Sequence, residues 1–288
     1  MRTKSLSAVG VVIISIFPAF LGGPVFAIFM TLLFLIGVQE FTNLSRTIGR
    51  SPIPVGFIAV PAFAVAASFG TNTQAVMGIA VAAVFAPLCL VVFRKDLTSA
   101  FVDWAAAAGG ALYLGLPIYA VVATRRIEGV TDAAWFNRVA EWSAPGWNAF
   151  PRGLAWSITI VLITWLSDTG AYVVGRTAGK HLMLPTVSPK KTVEGLIGGL
   201  VCASVTGAIA VHVLGLGSTI WLGLALGFFV AAIGVIGDLA ESVFKRQAGV
   251  KDSGTLIPGH GGVLDRIDAL LFTWTAGWFL VTLVDRWS

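Results

Sequence analysis

Apolar runs recur along the chain from end to end, separated by short polar stretches, and this pattern sets the predicted architecture. A helix that crosses a bilayer needs about 20 predominantly apolar residues, fewer where its ends are anchored or the bilayer adapts. On that criterion nine spans are predicted: Leu6 to Leu21, Pro24 to Gln39, Pro54 to Phe69, Gln74 to Phe93, Trp104 to Ala123, Leu154 to Gly175, Thr192 to Leu214, Thr219 to Gly237 and Ile267 to Val284. The first two are short. Gly22-Gly23-Pro24 between them reads as a tight turn or as a break in one kinked helix, since membrane helices tolerate Pro and Gly, so the count is nine or eight.

The pattern changes between Gly237 and Asp268, where an otherwise apolar chain places five acids, four bases and a histidine. At about 100° per residue, Asp238, Glu241, Ser242 and Lys245 occupy roughly a third of a helix circumference, a polar face able to hold a metal. Gly249, Gly254, Pro258, Gly259, Gly261 and Gly262 then forbid regular helix and bring backbone N–H groups within reach of an anion. A new helix follows, with Asp265 and Asp268 three positions apart on one side of its first turn and Arg266 pointing elsewhere. Hard oxygen ligands of this kind suit Mg²⁺ better than zinc. The plain alternative is a cytoplasmic loop whose charges solvate it and orient the helices.

Composition sharpens the class. With 57% hydrophobic and 11% charged residues, the 288-residue chain lacks the polar surface of a soluble globule, and it reads as an all-α polytopic membrane protein. Its net charge of +5 sits in short loops between spans, which points to anionic lipid headgroups rather than nucleic acid. Cys89 and Cys202 lie inside apolar runs with no metal or redox spacing, and read as packing residues. Arg2 and Lys4 precede the first apolar run as in a secretory signal, but without a clear cleavage site that run is kept as a span.

With nine spans the loops alternate, placing 14 Lys and Arg on the N-terminal side against 5 on the other, so the N-terminus is expected in the cytoplasm. Four of those five bases belong to residues 124–153, which also carry Glu128, Asp132, Glu141, Trp135, Trp142 and Trp147 and read as an extracytoplasmic interfacial loop. This topology brings Asp168 in span six, Lys190, Lys191 and Glu194 at the start of span seven, Asp238 at the end of span eight, and Asp265 and Asp268 at the start of span nine to one depth. A polar cavity opening to the cytoplasmic side is expected there, because acids at a membrane edge are costly without a partner or cavity. Ser188-Pro189 reads as an N-cap followed by Pro at the first helical position, which puts Lys190 and Lys191 in a first turn whose dipole opposes them unless an anion binds. The glycines at 195, 198, 199, 223 and 227 read as close helix packing.

The spacing Ser242-x-x-Lys245-Arg246-x4-Lys251-Asp252-x5-Pro258-Gly259-His260-Gly261-Gly262-x-x-Asp265-Arg266-x-Asp268 resembles the signature of the phosphatidate cytidylyltransferases, the CDP-diacylglycerol synthases, at every defined position. The segment from Ser167-Asp168-Thr169-Gly170 through Ser188-Pro189-Lys190-Lys191-Thr192 is similar to a second block of that family, with Val193 where an aromatic is common. The resemblance is firm over about Trp165 to Leu271 and rests on hydropathy in the N-terminal half.

The resemblance implies that CTP and phosphatidate give CDP-diacylglycerol and pyrophosphate in phospholipid biosynthesis, with Mg²⁺ and a second, monovalent cation. The expected metal ligands are Asp238, Ser242, Asp265 and Asp268, and the expected catalytic residues Asp265, Asp268 and Lys191. Substrate contacts are expected from Asp168, Ser188, Lys190, Lys191, Lys245, Arg246, Lys251, His260, Gly261 and Arg266, with His260 equally able to be structural. One membrane domain, 1–288, is expected, in which 1–123 are N-terminal helices and 154–288 the catalytic helices; a homodimer stays open. The rivals are a related CTP-dependent or lipid-phosphate enzyme, and a secondary transporter, which would place its acids near the midplane in repeated halves. No internal repeat is evident, and the D-x-x-D-G-x-x-A-R pattern of CDP-alcohol phosphotransferases is absent.

Overall fold

The computed structural model describes residues 18–50, 52–70, 73–133, 135, 138, 150–256 and 261–285. Eight helices and one hairpin follow in order: α1 Gly23–Thr47, α2 Gly56–Phe69, α3 Thr73–Val91, α4 Ala100–Arg125, α5 Arg152–Ala178, β1 Leu182–Leu184, β2 Ser188–Thr192, α6 Val193–Val213, α7 Ile220–Gln247 and α8 Leu264–Asp285. Each matches one predicted span from the second to the ninth; the first lies outside the described residues except for Pro18 to Leu21. Among the described residues six helices, α1 and α3 to α7, are long and apolar enough to cross a membrane, whereas α2 is a shorter apolar helix. The protein is therefore a helical, multi-pass membrane protein. Large apolar side chains such as Phe69, Phe93 and Trp221 point outward, as a lipid-covered surface requires.

Residues 18–21 are helical, and Gly22 and Gly23 adopt φ of 63° and 53° before Pro24 opens α1. That left-handed backbone, which glycine alone adopts cheaply, is a break in the helix at this point.

The chain divides into two compact units. The first comprises 1–123 and 243–271, the second 124–242 and 272–288, so the chain passes between them at the end of α4, inside α7 and again inside α8. In the first unit Phe34, Val60, Phe63, Leu114, Ile118 and Leu264 are buried. The rings of Phe41, Tyr113 and Phe244 cluster with centroids 5.9–6.1 Å apart. Asp103, 1% exposed, receives Arg94 at 2.6 Å and the Ser99 hydroxyl at 2.8 Å, so its burial is matched by an ion pair and a hydrogen bond.

In the second unit α5 and α6 pack closely because small residues face each other. A Cβ on Gly198 would meet Val174, one on Gly199 would meet Ser167 and Ala171, and Gly170 lies against Cys202. Gly207, Gly223 and Gly227 bring α6 and α7 backbone to backbone beside Ala203 and Ala208. Thr164 and Thr273 share a buried hydroxyl contact at 3.0 Å. Trp135 Nε1 donates to the Val213 carbonyl at 2.8 Å, while Glu141, Trp142 and Trp147 lie outside the described residues.

The hairpin corrects one expectation. Ser188 to Thr192 form a strand, with Leu184 paired to Ser188 and Leu182 to Thr192, so Ser188 does not cap a helix and Lys190 and Lys191 are not in a first turn. The cap is Thr192, with φ −117°, whose hydroxyl accepts from Gly195 N at 3.1 Å. Starting α6 after both lysines removes the conflict between their charge and the helix dipole. Pro189, which lacks an N–H, is tolerated because the sheet has only two strands and thus only edges.

Because Gly207 sits directly on the Gly223 carbonyl, Gly207→Val is expected to destabilise the protein by about 1–3 kcal/mol. The check is the unfolding midpoint of purified protein in detergent; an unchanged midpoint would show that α6 and α7 can separate at no cost.

Candidate active site

Helix α7 runs past Gly237 to Gln247 and so carries Asp238, Glu241, Ser242 and Lys245 in helical register, as their spacing predicts. Glu241 is fully buried, and Ser242 and Lys245 are also buried, so this face is turned into the protein. The acids and bases then divide between the two units.

In the first unit everything meets at Asp265, in the first turn of α8. Lys245 Nζ donates to Asp265 Oδ1 at 2.9 Å. The other oxygen, Oδ2, accepts from Ser253 N at 2.8 Å, Ser253 Oγ at 3.0 Å and Gly262 N at 2.8 Å. A carboxylate only 8% exposed is thus held by one ammonium and three neutral donors, which offset its desolvation. Gly261, at φ 82°, lies so close that a Cβ there would stand 2.7 Å from Asp265 Oδ2.

A second buried carboxylate, which the sequence reading missed, completes this arrangement. Glu40 of α1 is 6% exposed; its Oε1 accepts from Val263 N at 3.0 Å and its Oε2 from Leu264 N at 2.7 Å, and Ser253 Oγ stands 3.3 Å from Oε2, able to donate to it in place of Asp265. The predicted span stopped at Gln39, one residue short, and left Glu40 in a loop. The available signal was its register: Gly37, Glu40 and Leu44 fall on one buried stripe of α1. One consequence corrects the reading of the glycine-rich run as an anion cradle over its last residues. The N–H groups of Gly262, Val263 and Leu264 are already taken by protein carboxylates.

In the second unit the Lys191 ammonium of β2 pairs with the Asp238 carboxylate of α7, both side chains partly buried. The hairpin that carries Lys191 is tied to α6 by Glu194. Its Oε2 accepts from Lys180 N at 3.0 Å and His181 N at 3.2 Å, and its Oε1 meets His181 Nδ1 at 2.6 Å. His181, to which the sequence assigned no role, is therefore part of the hairpin's anchoring.

The remaining candidates are more scattered. Lys190, Arg246, Lys251 and Arg266 are exposed, and Arg246 donates to the Val250 carbonyl at 3.3 Å. Ser188 is half-buried in β2, and Asp268 Oδ1 accepts from Ala269 N at 2.6 Å. Asp168 is exposed on α5. His260 lies outside the described residues.

Among the described residues no three His, Cys, Asp or Glu side chains are grouped to hold a metal. The chemistry of the donors nonetheless fits a hard divalent cation. Asp238 and Asp265 present oxygen ligands, and each already receives a cation in the form of a lysine ammonium. Buried lysine–carboxylate pairs with exposed ammonium and guanidinium groups are suited to a polyanionic ligand and its counter-cation.

The sequence profile of the cytidylyltransferase family matches residues 2–284. The phosphatidate cytidylyltransferase of Staphylococcus haemolyticus (strain JCSC1435) is 33% identical over 277 residues, covering 94% of this chain and 95% of that protein. That of Staphylococcus aureus (strain COL) is 31% identical over 282 residues with the same coverage. The phosphatidate cytidylyltransferase of Staphylococcus saprophyticus subsp. saprophyticus is 46% identical over a shorter stretch of 121 residues, 42% of this chain and 46% of that protein.

Lys245→Met keeps the aliphatic stem but leaves Asp265 buried without its ammonium. The expected cost is about 3 kcal/mol, read as a lower unfolding midpoint in detergent, with Lys245→Arg costing less. Equal midpoints for Lys245→Met and wild type would show that the pair carries no stability.

Proposed function

The chain belongs to the cytidylyltransferase family, and from that membership we propose that it transfers a cytidylyl group from CTP to phosphatidate, giving CDP-diacylglycerol and pyrophosphate in phospholipid biosynthesis. The observation that carries this reading is the match to phosphatidate cytidylyltransferases over 94% of the chain.

The phosphate of phosphatidate has a second pKa near about 6 by analogy with other phosphomonoesters, so it arrives largely ionised and needs little help as a nucleophile. One of its oxygens attacks the α-phosphorus of CTP. The new P–O–P link forms as the bond from the α-phosphorus to the departing pyrophosphate oxygen breaks. The difficulty is electrostatic, because two polyanions must meet and a third must leave. Lys191, Lys245, Arg246, Lys251 and Arg266 supply cations for those phosphates, with Lys191 the principal one; Lys190, Ser188, Asp168, His260 and Gly261 complete the substrate contacts. Lys191 and Lys245 begin paired with Asp238 and Asp265, so each is held in place before substrate binds.

The family's enzymes generally use Mg²⁺. The residues that would hold it are Asp238, Ser242, Asp265 and Asp268. When bound, Mg²⁺ supplies charge neutralisation on the triphosphate and on leaving pyrophosphate. The same reading has the chain cross the membrane nine times, with its N-terminus and a polar cavity on the cytoplasmic side, where CTP is found; the basic-residue asymmetry supports that orientation.

Purified protein with CTP, Mg²⁺ and phosphatidate is expected to release pyrophosphate, and excess chelator to abolish the release until Mg²⁺ is restored. Asp265→Asn should lower turnover about 100-fold or more, while Lys251→Gln should act mainly by raising KM for CTP. No pyrophosphate from wild type would refute the reaction, and normal turnover in Asp265→Asn would refute the metal ligand.

Orientation is read separately. A cysteine introduced at Gly129 is expected to react with an impermeant reagent from outside intact cells, and one at Thr255 is not. The opposite pattern would invert the topology.

A further inference from the structure

We propose that Glu40 is a positioning residue for this reaction: from α1 its carboxylate fixes Ser253 and the first turn of α8, and thereby holds Asp265 in one orientation. The inference rests on Asp265 taking part in cytidylyl transfer.

Three observations carry it. The first is where the Glu40 carboxylate spends its hydrogen bonds. Ser253 Oγ, Val263 N and Leu264 N all belong to the segment that delivers Asp265, although Glu40 itself stands more than two hundred positions earlier in the chain. A carboxylate is not buried in a membrane protein for packing alone, since its desolvation must be matched by donors.

The second is the serine between the two acids. Ser253 Oγ lies 3.3 Å from Glu40 Oε2 and 3.0 Å from Asp265 Oδ2, and a hydroxyl has one hydrogen to give. Ser253 N also donates to Asp265. Ser253 is thus the physical link through which a change at Glu40 reaches Asp265.

The third is steric. A Cβ on Gly254 would stand 2.5 Å from Glu40 Oε1, and one on Gly262 would stand 2.5 Å from Glu40 Oε2 and 2.6 Å from Ser253 Oγ. Two glycines of the glycine-rich run therefore leave the space in which the Glu40 carboxylate sits. The loop is shaped around this side chain, and Asp265 is aimed by the loop.

The test uses the full-length protein in detergent with the variants Glu40→Gln and Glu40→Asp. Gln keeps the size but replaces one accepting oxygen by an NH₂ group that faces a backbone N–H; Asp keeps the charge but falls short by one methylene. For Glu40→Gln, kcat for pyrophosphate release is expected to fall about 10–100-fold, with KM for CTP unchanged within about twofold. Hydrogen–deuterium exchange should rise in peptides covering 250–268 and stay unchanged in α5 and α6. Glu40→Asp should recover part of both. Adding Ser253→Ala to Glu40→Gln should cost less than the product of the two single effects, because both act on Asp265.

Wild-type kcat in folded Glu40→Gln would overturn the proposal. So would faster exchange throughout the protein, which marks a general structural role, or a loss expressed wholly in KM. If Glu40→Gln does not fold, Glu40→Asp decides by the same two readings. Absence of pyrophosphate from wild type would overturn the reaction instead, and the exchange comparison would still decide whether Glu40 holds the Asp265 segment.

Discussion

The constraint on which the first unit depends is the burial of the Asp265 carboxylate. A charge withdrawn from water in a largely apolar protein is tolerated only where donors surround it, and here they come from three places: the last turns of α7 through Lys245, the loop through Ser253, and the approach to α8 through Gly262, two residues before it. Each donor anchors a different piece of chain. The loop after α7 cannot move without uncovering the acid, and α8 cannot rotate without breaking its start. Glu40 extends the same logic to α1 by taking the next two helix-start N–H groups, so that consecutive donors of α8 end on two different acids.

The second unit solves a related problem with other parts. Its hairpin has only two strands, too small to be stable alone, and is fastened by Glu194 to the backbone at Lys180 and His181 and by the Thr192 cap on α6. That fastening gives Lys191 a fixed base from which to reach Asp238. Beneath it, glycines at 198 and 199 let α5 and α6 approach closely, so the hairpin rises from a rigid pair of helices.

How much of this was legible in the sequence follows from what each feature is made of. The helices were legible because length and hydropathy are local properties, and eight of the predicted spans coincide with helices. Their ends were not. Helical hydrogen bonding is satisfied within the helix whether the next side chain is apolar or charged, so α1 and α7 run past the apolar windows to Thr47 and Gln247. Asp238, Lys245 and Asp265 were legible through their spacing. Glu40 left only its register on α1 as a signal, since its partners exist only once a loop more than two hundred residues away folds against it. Ser188-Pro189 misled for a different reason: Pro suits the first turn of a helix and an edge strand alike, and the deciding feature is the better cap four residues later at Thr192.

The lysine–acid pairs also show how a largely apolar protein holds ammonium and carboxylate groups away from full exposure. Either charge alone, withdrawn from water, would carry a desolvation cost of its own. Pairing Lys191 with Asp238 and Lys245 with Asp265 offsets that cost and fixes the orientation of each side chain. In the reaction proposed, a phosphate entering with a divalent cation offers an ammonium its anion and a carboxylate its cation, so that the charge of a pair stays balanced. An arrangement of lysines alone would bind the anion more tightly but would be unstable when empty. On that proposal the ion pair accepts weaker binding in exchange for side chains oriented before the reaction begins.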